Sequence, residues 1–393
     1  MRMLLFTGKG GVGKTTVAAA TAAYAARRGH KTLVVSTDDA GSLAEALGHP
    51  VGAEAREVEH GLFARQVDAR GMLTERWHVV QRYLLGLLDP AGVDPVAAEE
   101  LTVLPGAEEV VALLALRDAA ADGHWDVLVC DCAPTSDTLR LLALPEALPW
   151  YLDRLLGMES RLARAMRPVL GGAGLPLPDA EVLEAVDRLR ADLADVRRLL
   201  TGPDTSVRLV LTPESVVLAE ARRTYTALTL HGYRVDGVVA NRVFPPGTGD
   251  AWREGWAASQ AERLTEARES FAPVPVHAVP YQAAEPVGPD VLTALAGVVY
   301  AEADPLAPPS TEDPLVVTRE GDEFLLSLAL PLADRSEVGL ARSGDELVVT
   351  VGAYRRVLAL PSALRRCFVT EARLDDGRLR VGFRPDPDQW MSA

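Results

Sequence analysis

Eight consecutive residues near the start of the chain, Gly8-Lys9-Gly10-Gly11-Val12-Gly13-Lys14-Thr15, have the types and spacing that hold a polyphosphate. Glycines let successive backbone N–H groups turn toward one point, and a helix beginning there adds the positive end of its dipole. In this pattern the penultimate lysine, Lys14, reaches the β- and γ-phosphates, and the Thr15 hydroxyl ligates Mg2+, with Thr16 following. The implied ligands are ATP and Mg2+. Reading along the chain finds lysine only at positions 9, 14 and 31, so the loop holds two of the three. Hydrolysis also needs a carboxylate for the attacking water and another near the metal, both at C-terminal strand ends. Asp38, whose role the adjacent Asp39 could share, and Asp131 close two strand-like runs and stand where such groups are required.

The elements that must position these residues are legible as apolar runs. Met3–Thr7, Thr32–Asp38, Asp126–Asp131, Val207–Thr212, Val235–Asn241 and Val274–Val279 read as buried strands. Their lack of alternation fits a mostly parallel sheet covered on both faces. Helical patterns between them predict a doubly wound α/β P-loop domain over residues 1–300. Residues 72–121 and 148–200 are helical in pattern without strand signals, and predict an inserted helical subdomain. A Pro-rich linker follows at 301–313. Alternating residues such as Phe324, Leu326, Leu328 and Leu330, with recurrent turn signals, predict a small all-β sandwich over 314–385, before a tail at 386–393.

Composition narrows the setting. A length of 393 residues suits two or three domains, and 48% hydrophobic with 24% charged residues is an ordinary soluble mix. The net charge of −15 argues against nucleic-acid partners, and no apolar run approaches the ~18 residues a membrane helix needs. A start without a signal-peptide pattern and three cysteines lead to the expectation of a cytoplasmic protein without stable membrane insertion.

Lys9, directly after the first glycine, resembles the signature lysine of the deviant P-loop class that includes the nitrogenase iron protein, septum-positioning ATPases and arsenite-pump ATPases. In that class the lysine reaches the nucleotide of the partner subunit, so the resemblance implies a homodimer. Two further segments narrow the likeness. Ser36-Thr37-Asp38-Asp39-Ala40-Gly41-Ser42-Leu43 is similar to S-T-D-P-A-H-S/N-L, and Asp131–Thr135 with Thr138–Leu142 is similar to D-T/C-A-P-T-G-H-T-L-R-L-L. Both motifs belong to the arsenite-pump ATPases and the related ATPases that target tail-anchored membrane proteins. The resemblance implies that Asp38 orients the hydrolytic water and Asp131 lies in the outer shell of Mg2+. It also implies that Asn241, Pro280 and Tyr281 contact adenine. Both switch histidines of the family are replaced, by Gly41 and Asp137. Through Gly344–Val349, Tyr354-Arg355-Arg356, Leu360-Pro361 and the Asp376–Leu379 hairpin, residues 314–385 resemble the small heat-shock (α-crystallin) sandwich appended to some bacterial members.

Two readings of function follow. The first is an ATP-hydrolysing homodimer whose nucleotide state controls a surface for a hydrophobic protein client or membrane-protein segment. Leu84, Leu85, Leu88, Tyr151 and Leu155 are the candidates for its groove. The second is the energising ATPase subunit of an arsenite or other metalloid efflux system. Cys130 and Cys132 flank Asp131 and are expected to face opposite sides of their strand, which would prevent them from sharing a metal. All three cysteines, with Cys367, are read as small buried residues.

Overall fold

The computed structural model describes residues 1–38, 41–69, 71–72, 107–133, 135, 138–139, 142–143, 180–247, 249–301, 303–309 and 312–387. The apolar runs form strands that are buried at every position in Arg2–Thr7 (β1), Thr32–Ser36 (β2), Val127–Asp131 (β5) and Thr205–Leu211 (β6). Val235–Val243 (β7) and Val276–Pro280 (β8) extend the sheet on one side. On the other lie Arg56–Glu59 (β3) and Leu62–Gln66 (β4), a hairpin the sequence pattern did not reveal. Its first strand reads Arg-Glu-Val-Glu, which lacks the apolar run that marked the other strands. The eight strands run in the order β3-β4-β2-β5-β1-β6-β7-β8, parallel throughout except for β3 against β4. Parallel pairing brings the C-terminal ends of β1, β2, β5, β6 and β7 to one edge, the place where such sheets bind ligands.

Helices cover both faces, as connections between parallel strands require. They are Lys14–Arg27 (α1), Ser42–Leu47 (α2), Ala107–Ala121 (α3), Ala180–Leu200 (α4), Ser215–Leu230 (α5), Ala251–Phe271 (α6) and Pro289–Tyr300 (α7). Most of α1 is alanine and threonine, and Ala18, Ala19, Ala22, Ala23 and Ala25 are fully buried. Small side chains let this helix lie close on the sheet, which fixes the loop that precedes it. Helices α3 and α4 fall within the two stretches read as a helical insertion. The proposed groove residues Leu84, Leu85, Leu88, Tyr151 and Leu155 lie outside the described residues.

The C-terminal region is antiparallel. One sheet has the order β14-β15-β10-β9 and comprises Leu315–Glu320 (β9), Glu323–Ala329 (β10), Cys367–Asp375 (β14) and Arg378–Pro385 (β15). The other comprises Val338–Ser343 (β11), Glu346–Val351 (β12) and Tyr354–Ala359 (β13). Alternation works as expected here: Leu326 stands opposite Val381 and Leu328 opposite Leu379, all four buried.

This sandwich is joined to the first domain by more than its linker. Leu230, the last residue of α5, is fully buried within the sandwich's own hydrophobic core. The Arg356 guanidinium of β13 donates to the Leu230 carbonyl at 2.5 Å, and the Thr226 hydroxyl donates to the Pro331 carbonyl at 2.6 Å. The linker is pinned by Arg208, which donates to the Pro305 carbonyl at 2.5 Å, and by an ion pair between Arg234 and Asp313. Leu230→Ala should therefore destabilise the sandwich although it lies in the other domain. A loss of about 2–5 kcal/mol is expected for a buried leucine, read as a lowered denaturation midpoint for the C-terminal region. An unchanged midpoint would show that the helix end is not part of that core.

Candidate nucleotide-binding site

β1 ends at Thr7 and α1 begins at Lys14, so the glycine-rich loop spans the gap between a buried strand and a buried helix. Gly8 is required by proximity: a Cβ there would lie 2.0 Å from the Val210 carbonyl oxygen of β6. Gly13 is required twice over, since its φ is 93° and a Cβ would lie 2.3 Å from the Asn241 amide nitrogen. The Asn241 side chain donates to the Val12 carbonyl at 2.9 Å and accepts from the Arg242 backbone N–H at 2.9 Å. Arg242 in turn donates from its guanidinium to the Gly11 carbonyl at 2.9 Å. The end of β7 thus clamps the loop from one side, a use of Asn241 and Arg242 that sequence reasoning missed.

The two lysines of the loop differ in placement. Lys14 is buried, and its ammonium lies 3.5 Å from the Lys9 carbonyl, inside the turn. Lys9 points outward, with its side chain 41% exposed and its ammonium 3.9 Å from a Glu220 carboxylate oxygen on α5. Glu220 carried no motif signal, because the pairing depends on α5 passing the loop.

Ser36 links Asp131 to the Asp38 backbone. Ser36 and Asp131 are register partners across β2 and β5. The Ser36 hydroxyl lies 3.4 Å from Asp131 Oδ2, and the Asp38 backbone N–H donates to the same hydroxyl at 3.2 Å. Gln66 at the end of β4 donates to the Asp38 carbonyl at 2.9 Å. Asp131 is only 1% exposed, and its Oδ1 has no hydrogen-bond partner among the described residues. Burial pushes its carboxyl up from 3.8 to about 6, against the opposing pull of the Thr15 hydrogen bond and the Lys14 charge, while Asp38 pushes the same way as burial. An orphaned buried oxygen beside a threonine hydroxyl fits a hydrated divalent cation: Thr15 and Asp131 are the side chains that would hold Mg2+ or its water.

Beyond the end of β7, Tyr281 stacks on Phe244, with centroids 5.3 Å apart and planes 19° apart. Trp252 and Trp256 of α6 lie 6.1 and 6.4 Å from the same ring. Pro280 ends β8 beside Tyr281, whose N–H donates to the Val243 carbonyl at 2.8 Å. The spacing of Trp252 and Trp256, one helical turn, was the available signal for this cluster. Cys130 and Cys132 correct a sequence expectation. Their sulfurs are 3.6 Å apart, on one side of the chain, because residues two apart in a strand share a face. The expected burial of all three cysteines is observed.

Residues 1–301 match the family model described as anion-transporting ATPase, and residues 321–383 match one described as an HSP20-like domain found in ArsA. An uncharacterized protein of Streptomyces coelicolor is 43% identical, covering 99% of both chains. Proteins provisionally named arsenical pump-driving ATPases are 35% identical in Chlorobaculum tepidum and 31% identical in Aquifex aeolicus. The former covers 98% of this chain and 96% of the relative, the latter 97% and 99%.

The buried Asp131 gives a test that separates stability from function. Its folded-state value lies above the ordinary one, so it favours folding while protonated. That contribution is complete below about pH 4 and is lost as pH rises through about 6. Above this window the bare charge opposes folding by about 3 kcal/mol. Asp131→Asn should raise the melting temperature of the nucleotide-free protein at pH 8 and change it little at pH 4. The same variant should gain less from added Mg-ATP than the wild type. Equal melting at pH 8 would contradict the buried charge.

Proposed function

The chain belongs to the anion-transporting ATPase family, and from that membership we propose an ATP-hydrolysing homodimeric switch whose nucleotide state governs a surface for hydrophobic protein segments. The observation that carries the dimer reading is the outward course of Lys9. Lys14 already fills the turn, so a second ammonium at the loop's rim serves a phosphate outside its own subunit. In this reading the backbone N–H groups of Gly8–Thr16 cradle the phosphates and Lys14 neutralises the β/γ charge. Asp38 orients water for in-line attack, with Ser36 and Gln66 holding its backbone. Asn241, Pro280 and Tyr281 form the adenine end, where Phe244 adds a ring to stack against. Thr15 would hold Mg2+ and Asp131 its water, and the ion when bound would supply charge neutralisation on the phosphates.

The hydrophobic-client half of the proposal is supported by the resemblance to ATPases that target tail-anchored proteins and by the heat-shock-like sandwich. No described helix is long and apolar enough to cross a membrane. A second reading, the energising subunit of a metalloid efflux system, is favoured by the names of the relatives.

Three substitutions test the nucleotide chemistry together. Lys14→Ala should abolish ATP binding, measured by nucleotide titration. Lys9→Ala should bind ATP but hydrolyse it poorly. Asp38→Asn should bind normally and lose about 10²-fold or more in turnover, since an amide cannot accept a proton from water. Wild-type turnover in Lys9→Ala would remove the trans role, and ordinary turnover in Asp38→Asn would move the water-orienting role elsewhere.

A further inference from the structure

One helix touches both the rim of the phosphate loop and the core of the C-terminal sandwich. Glu220 lies in the first half of α5 and faces Lys9, while Leu230 at its end is buried among sandwich side chains. The ten helical steps from Glu220 to Leu230 span about 15 Å. That stretch is stiff, because every residue from Thr224 to Leu230 is buried. Arg222 also ties it to α6, donating to the Ser270 hydroxyl at 2.5 Å and pairing with Glu266 at 2.8 Å.

The chemistry at the two ends differs in kind. At the C-terminal end Arg356 is 3% exposed and aims its guanidinium at a carbonyl of the last turn. Such carbonyls lack intrahelical partners and carry the negative end of the dipole, so a buried cation there is a strong, directional cap. Gly232 just beyond the helix lies against the guanidinium and has a φ of 89°, which favours glycine there. At the other end the Lys9–Glu220 contact is long, and the two side chains are 41% and 28% exposed. An exposed pair of this kind is weak and easily exchanged for a better partner.

We propose that α5 is a lever through which the sandwich retains Lys9 in its own subunit, with Arg356 the positioning residue at one end and Glu220 the holding group at the other. The inference rests on the reading that Lys9 serves a partner's nucleotide. A firm anchor and a weak catch together make a hold that dimer closure can break. Any movement of the sandwich, for instance on binding a partner, is transmitted to the catch rather than absorbed by the linker. The sandwich then sets how readily ATP is hydrolysed without touching the nucleotide.

The test is steady-state ATP hydrolysis by the full-length protein, with melting curves alongside. Glu220→Gln and Arg356→Ala should each raise turnover about two- to fivefold, the scale of an exposed ion pair. Arg356→Lys, which keeps a donor for the Leu230 carbonyl, should return the rate toward wild type. Neither rise should occur in a Lys9→Ala background. If Arg356→Ala fails to fold, Thr226→Val, which removes the hydroxyl bond to Pro331 along with a longer one to the Arg222 carbonyl one turn back, takes its place and should also raise turnover. A rise that persists in Lys9→Ala protein, or an unchanged rate in both Glu220→Gln and the folded anchor variant, overturns the lever. Wild-type hydrolysis by Lys9→Ala alone would instead overturn the trans-lysine reading on which the lever rests.

Discussion

The phosphate loop has to approach its neighbours more closely than a side chain permits, and the rest of the site is arranged around that approach. Gly8 lies against the Val210 carbonyl and Gly13 against the Asn241 amide, so β6 and β7 hold the loop through contacts that any Cβ would break. The strand order then places the remaining chemistry. With β1 between β5 and β6, and β2 beyond β5, the carboxylates of Asp131 and Asp38 arrive from one side and Asn241 from the other. Parallel pairing puts all of them at the same edge. A single antiparallel strand among these would send its residues to the opposite edge of the sheet.

What the sequence disclosed follows from the range of each signal. The phosphate loop is local, and its composition reflects local backbone demands, so it could be read directly. The central strands were equally clear, because burial on both faces forces continuous apolar runs. The β3–β4 hairpin was not, since an edge strand with charged residues has no such constraint. Ser36 bridging Asp131 and Asp38, Gln66 on the Asp38 carbonyl, and Asn241 on Val12 depend on sheet register between distant segments, which no single-segment pattern encodes. The cysteine pair shows a different failure. Its proximity follows from strand periodicity alone, which puts residues two apart on one face and not on opposite ones.

The C-terminal sandwich repeats the contrast. Alternation exposed its strands, because one face packs inward and the other meets solvent. Its attachment was invisible, since the bond between Arg356 and Leu230 joins residues 126 apart. A proline-rich linker implies a tethered, independent module, yet a buried leucine, a helix cap and pinned linker residues make the sandwich a fixed extension of the ATPase domain. Relatives in Streptomyces coelicolor and Chlorobaculum tepidum match the chain across both parts.

The central claim, that each active site is completed by a lysine from a second copy, is tested most directly by mixing two inactive proteins. Lys9→Ala retains Asp38 but offers no lysine to a partner, and Asp38→Asn offers the lysine but cannot orient water. After the subunits are exchanged, a heterodimer contains one site with both groups intact. If Lys9 acts across the interface, an equimolar mixture should recover about a quarter of wild-type hydrolysis, since half the dimers are mixed and each has one working site. Activity no greater than the sum of the separate variants, with subunit exchange verified, would contradict it.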